Sequence, residues 1–187
     1  VMEQVEMALR SAYYPDSTNA DGYGFWMEDK GTQDEAADVI SWVKLGGALV
    51  GRDTALADSP HRVKVWLDKG EEEHAAVYVK AWRQYAQAED FDPENIPPEI
   101  LSRRVTGLNC RVAERKPGDD EEEEEIEWLD EWEDTNRIPD MVELTLLLDP
   151  ITPGGDPIEI RRIVSIPVAP LSWARRIKHI RDTERKP

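Results

Sequence analysis

The sequence predicts an α+β fold, with one N-terminal helix followed by mainly antiparallel β-sheet in a single domain over residues 1–187. Val1, Val5, Ala8 (with Leu9) and Ala12 recur at helical spacing against Glu3, Gln4, Glu6 and Arg10, as in a helix with one apolar stripe. From residue 39 onward, short runs instead alternate apolar and polar residues, the period of strands with one buried face. Many short strands after a lone helix point to antiparallel pairing.

The helix is expected over residues 1–13. It should stop at Tyr13-Tyr14-Pro15, because proline disfavours helical backbone in the residue before it. Residues 15–35 are rich in Gly, Asp, Ser and Asn, and read as an ordered surface loop that Tyr23, Phe25 and Trp26 pin to the core. Val39 to Val43 is a short strand ended by Gly46-Gly47. Val63, Val65 and Leu67 alternate, and so do Ala75, Val77, Val79 and Ala81, which makes a hairpin over 62–82 turning at Asp68-Lys69-Gly70. The glutamates at 71–73 with Ala75-Ala76 are also compatible with a helix.

Residues 88–98 form a proline-punctuated connector. Ile100, Leu101 and Val105 then lead into Leu108, Cys110 and Val112, another alternating strand. Asp119 to Glu125 is an unbroken acidic run, a solvated hairpin tip or a disordered insertion. Trp128 and Trp132, four apart, are expected on one face of a helical turn that covers the sheet. Ile138-Pro139 marks the start of the next strand, with Val142, Leu144, Leu146 and Leu148 inward. A turn over 149–157 and a strand over Ile158 to Ile166 complete the sheet. The basic tail, 171–187, is a short helix on Ile177 and Ile180 or a solvated extension.

Acidic residues outnumber basic ones 40 to 23, for a net charge of −17. Such a surface repels phosphate backbones and anionic headgroups, so no nucleic-acid partner is expected. The single Cys110 has no intrachain partner and reads as a small core hydrophobe. No apolar run approaches the roughly 18 residues that span a bilayer, and no signal-peptide layout is visible. The chain opens inside a helix without a start methionine, so an upstream segment is expected to have been trimmed away.

Chemistry-bearing patterns are sparse. Trp128 and Trp132 among Glu125, Glu127, Asp130, Glu131 and Glu133 have the ingredients of a sugar platform with an acid pair. A core-covering role for the indoles, with the acids in water, accounts for the same residues. Asn19, Asp21 and Glu28 fall at calcium-ligand spacing around Gly22, but Ser17 occupies the first ligand position, so no metal is expected there. His61, His74 and His179 stand apart from one another and from other ligands. Gly46-Gly47 and Gly154-Gly155 read as turns. No catalytic residue and no cofactor are expected.

Four segments, in order, resemble the J-type minor pseudopilins of the type II secretion system (protein J of the general secretion pathway). They are ADVISWVKL with the hairpin HRVKVWLDKG, then PPEILSRRVTGLNCRVAER, then WLDEWEDTNRIPDMVELTL, and finally IEIRRIVSIPVAP. The resemblance covers about Val39 to Val168. It implies a pseudopilin-like fold and a structural role at the pseudopilus tip, in complex with I- and K-type minor pseudopilins. It further implies a periplasmic domain held at the inner membrane of a Gram-negative bacterium by an N-terminal helix that this sequence lacks. Under that reading Val1, Val5, Ala8 and Ala12 form the stripe that packs against partner helices. A minor type IV pilin is a rival of similar build, and an extracellular carbohydrate-binding module on the tryptophans is a rival of a different class.

Overall fold

One short helix and nine strands build the computed structural model, which describes residues 1–15, 20–31, 35–68, 75–117, 124–152 and 154–169. In chain order they are α1 (Met2–Arg10), β1 (Trp26–Glu28), β2 (Val39–Lys44), β3 (His61–Asp68), β4 (Ala76–Arg83) and β5 (Glu99–Ser102). Then follow β6 (Val105–Pro117), β7 (Glu124–Leu129), β8 (Met141–Leu148) and β9 (Ile158–Ser165). The strands form two sheets, ordered β1-β2-β3-β4-β5 and β7-β6-β8-β9. Every pairing within them is antiparallel.

This architecture corrects the expected α+β, pseudopilin-like class to a mainly β one. A helix of 9 residues supplies one flank of the core. Paired strands in two sheets supply the rest of the regular structure. The helix also ends earlier than expected, at Arg10. Residues 11–13 leave it to pair with the end of β2: Ala12 bridges Lys44, Leu45 N–H donates to the Ser11 carbonyl (3.0 Å), and Tyr13 N–H donates to Val43 (2.9 Å).

The inner faces of the sheets meet in one apolar core. Ile40, Trp42, Val63, Val65, Val77 and Val79 enter from the first sheet; Leu108, Cys110, Val112, Val142, Leu144, Leu146 and Val164 enter from the second. Helix α1 adds Val5, Ala8 and Leu9, packing against β2 and β9. The Trp42 indole N–H donates to the Ala8 carbonyl at 3.1 Å and ties the helix to β2.

The residues Ile100, Leu101 and Val105, expected to lead into the strand at Leu108, Cys110 and Val112, fall on two strands in different sheets. The first of these, β5, ends at Ser102, and Val105 begins β6. The β6–β8 register shifts between Val105 and Gly107, where a Cβ on Gly107 would lie 2.8 Å from Leu147 Cδ1. Glycine permits this close approach.

A hydrogen-bonded seam joins the two sheets beside β2. Ala37 and Leu108 form a parallel bridge, with Leu108 N–H donating to Ala36 (2.9 Å) and Asp38 N–H to Leu108 (3.0 Å). The buried Asp38 carboxylate accepts from the backbone N–H groups of Lys30 (2.9 Å) and Cys110 (2.6 Å). On the opposite flank the 130–138 segment reaches back to β1. Met27 and Trp132 exchange backbone bonds of 2.9 and 3.3 Å, and Gly24 N–H donates to Thr135. A Cβ at Gly24 would lie 2.4 Å from the Arg137 carbonyl oxygen. Only glycine lets the two segments run so close.

The sheet margins are short or charged. β1 has 3 residues, β5 has 4 and a register break against β4. Glu125 and Glu127 lie on β7, and Glu159, Arg161 and Arg162 on β9. Arg161 pairs with the buried Glu143 of β8.

Candidate interaction face on the first sheet

Antiparallel pairing fixes which outward residues of the first sheet become neighbours. Trp26 lies beside Ser41, Ser41 beside Lys64, and Lys64 beside Lys80. One rung away Trp66 pairs with Tyr78, and one rung the other way Arg62 pairs with Trp82. With Val63, Val65 and Leu67 committed to the core, strand alternation turns Arg62, Lys64 and Trp66 outward. The result is a face of three half-buried tryptophans, one tyrosine and three cations on a chain of net charge −17.

The indole donors divide by location. Trp42 donates to Ala8 (3.1 Å) and Trp132 to the Asp134 carbonyl (3.2 Å), both inside the fold. Those of Trp26, Trp66 and Trp82 have no partner among the described residues. Trp66 stacks on Tyr78 with ring centres 5.7 Å apart and planes at 20°. The Lys64 and Lys80 ammonium groups each lie 5.8 Å from the Trp66 ring centre, within cation–π range.

Glu94, on a 3-10 turn at Pro93–Asn95, accepts from both lysines at 3.0 Å. The hydrogen bond from Lys80, and next that from Lys64, hold its carboxyl below the usual range. Arg62 donates to the carbonyls of Gly22 and Gly24, to Ser41 Oγ (3.1 Å) and to Gln84 Oε1. Burial pulls its guanidinium down to about 10, so it stays charged at neutral pH. An open groove of about 420 Å³ runs between Trp26, Arg62, Lys64, Trp82 and Glu94. Tryptophan, tyrosine and arginine are the residue types that concentrate binding energy at protein interfaces.

The helix stripe faces inward along most of its length. Val5, Ala8 and Ala12 are buried in the chain's own core, at 5%, 0% and 7% exposure. The physical reason is that the helix packs this face against β2 and β9. Val1 is half-buried and, with Met2, lines an open groove beside Val105, Leu146, Leu148 and Ile160.

Trp128 and Trp132 do not share a helical turn. Trp128 lies on strand β7, half-exposed, with the Arg111 guanidinium 5.9 Å from its ring. Trp132 is buried beside β1, with Arg137 over its ring at 5.1 Å. Pairing of β7 with β6 overrides the i, i+4 reading and sends the two indoles to different environments. The pair should therefore respond unequally to truncation. Trp132→Ala is expected to cost about 3–5 kcal/mol, and Trp128→Ala less than about 1 kcal/mol. Urea titration of both variants measures this, and equal losses would contradict the separation.

Of the calcium-spaced residues, Asn19 lies outside the described residues. Asp21 is exposed, and Glu28 ends β1 and pairs with Lys30 at 3.1 Å. Among the described residues no cluster of His, Cys, Asp and Glu could hold a metal ion. His74, His179, the 171–187 tail and the acidic residues 119–123 also lie outside. His61 is fully buried, donates through Nδ1 to the Ser59 carbonyl (2.9 Å) and faces Lys44 Nζ at 3.4 Å. Burial lowers Lys44 to about 8, and lowers His61 as well. Lys44 donates to the Gly46 carbonyl at 2.6 Å, so this pair ties the loop after β2 to the core. No family model, curated protein or solved structure matches the chain.

Proposed function

We propose that this chain is a non-catalytic assembly subunit of the minor pseudopilin kind, acting in the periplasm by contact with I- and K-type minor pseudopilins. The four ordered segments that resemble that family motivate the reading. What supports it most in the structure is the division among tryptophans. Trp42 and Trp132 serve the core, while Trp26, Trp66 and Trp82 stand half-exposed with cations on one sheet face. The partner surface is therefore this face, in place of the helix stripe. The helix seats the domain, because its apolar residues are already spent within the fold.

Co-purification after co-expression with I- and K-type minor pseudopilins tests the reading. The full-length product is expected to retain both partners, and a Trp66→Ala, Trp82→Ala double variant to lose them by tenfold or more while its thermal midpoint changes little. Hot-spot truncations of about 2 kcal/mol each would account for such a loss. Retention by type IV pilus subunits instead would move the chain to the rival system. Glycan capture by the same tryptophans, without either set of subunits, would favour the carbohydrate-binding class.

A further inference from the structure

We infer that Lys64, Lys80 and Trp66 form a carboxylate clamp whose resident ligand is Glu94 and whose exchange ligand is an acidic segment of a partner subunit. The inference deepens the assembly reading and rests on it for who the partner is. Lys80 keeps only 8% of its side chain exposed, whereas Glu94, which neutralises it, is 63% exposed. An ammonium so withdrawn from water requires an anion at that spot, since an unpaired buried charge is costly. Nothing requires that anion to be Glu94.

The hold of the turn on the sheet is slight. Pro93–Asn95 contributes no buried residue. Glu94 is fastened by Lys64 and Lys80 to its carboxylate at 3.0 Å each, and by Lys80 to its carbonyl at 3.2 Å. With few apolar contacts, the segment is held by these polar bonds, which an incoming carboxylate can take over one for one. Once Glu94 leaves, two ammonium groups remain over the Trp66 ring, each 5.8 Å from its centre. The Trp66 N–H and the Tyr78 hydroxyl beside them have no partner among the described residues.

Two cations above an aromatic plane suit an Asp or Glu side chain on an extended peptide. Charge complementarity selects that occupant. The cations of this face stand on a chain of net charge −17, so the remaining surface repels an acidic partner and steers its approach to this face.

Isothermal titration of the 187-residue chain with a hexaglutamate peptide at low salt tests the clamp. Glu94→Gln is expected to bind the peptide about tenfold more tightly than the wild type, because the competing internal ligand loses its charge. Adding Lys64→Gln to that variant should abolish the gain. Lys64 is partly exposed, and a thermal melt checks that the fold survives. Equal affinity of wild type and Glu94→Gln, or a gain that persists without Lys64, would overturn the inference. Inorganic phosphate binding to Glu94→Gln as tightly as the peptide would reduce the site to an unspecific anion hole and overturn it too. Self-association of Glu94→Gln in sedimentation runs without peptide would assign a second copy as the occupant, against a distinct partner. If hexaglutamate behaves as expected but the I- and K-type subunits do not co-purify, the clamp stands and the assembly reading falls.

Discussion

Asp38→Ala is expected to destabilise the domain by about 3 kcal/mol at neutral pH, from two hydrogen bonds to a charged acceptor and one buried donor left behind. The carboxylate is fully buried and accepts from Lys30 N–H and Cys110 N–H. Those donors belong to the β1–β2 connection and to β6 of the other sheet, so the side chain fastens the seam where Ala36 to Asp38 meets Leu108. Alanine would strand the buried Cys110 N–H in the interior and release the partly exposed Lys30 N–H.

The penalty should also depend on pH, with a definite sign. Burial raises Asp38 from 3.8 to about 6, against the two backbone hydrogen bonds that pull it down. A carboxyl that holds its proton more tightly when folded contributes stability that is complete below its unfolded pKa. That contribution is lost as pH rises through the folded value. The wild type should thus lose up to about 3 kcal/mol from this group between pH 4 and pH 7, whereas the variant has no such group to titrate. Asp38→Ala therefore costs more at pH 4.5 than at pH 7.5. Urea midpoints of both proteins at the two pH values measure the difference, and a penalty that grew with pH would refute the assignment.

Trp42→Ala should cost about 3–5 kcal/mol, the usual range for emptying a buried indole site. Its ring is 1% exposed and stacks near Phe25 at 6.1 Å between centres. The same side chain holds α1 through the Ala8 carbonyl. Trp42→Phe separates the two roles. It keeps most of the apolar contact and loses the donor, for a cost nearer 1 kcal/mol. Amide exchange in α1 is expected to accelerate in the phenylalanine variant more than exchange in β8, which the donor does not touch. Uniform acceleration would mean that the bond to Ala8 contributes nothing local.

Much of the sheet was legible in the residues because strands such as β3 and β8 carry their own alternation. Val63, Val65 and Leu67 of β3 and Val142, Leu144 and Leu146 of β8 are buried on the phase expected. The fold class was misjudged because one amphipathic turn at the start weighed as a full structural layer. The Trp128 and Trp132 spacing is compatible with both a helical turn and a strand that leaves its sheet, and local spacing holds no information about the β6 partner that decides between them. The candidate face was visible in part. Lys64, Trp66, Tyr78, Lys80 and Trp82 occupy the outward phase of a hairpin that was expected, yet outward positions read as solvent when considered one strand at a time. Only the register of β1 to β4 brings them together, and Glu94 joins from a connector with no pattern of its own.

The margins of the two sheets bear on how the fold avoids edge-to-edge aggregation. An uncovered strand edge invites a neighbour's backbone to extend the ladder, and short or charged margins discourage it. Here β1 and β5 offer only 3 and 4 residues, β7 presents glutamates, and β9 presents Glu159, Arg161 and Arg162. Such margins give a neighbouring chain little main-chain ladder to extend, which works against the cross-β stacking that locks amyloid fibres.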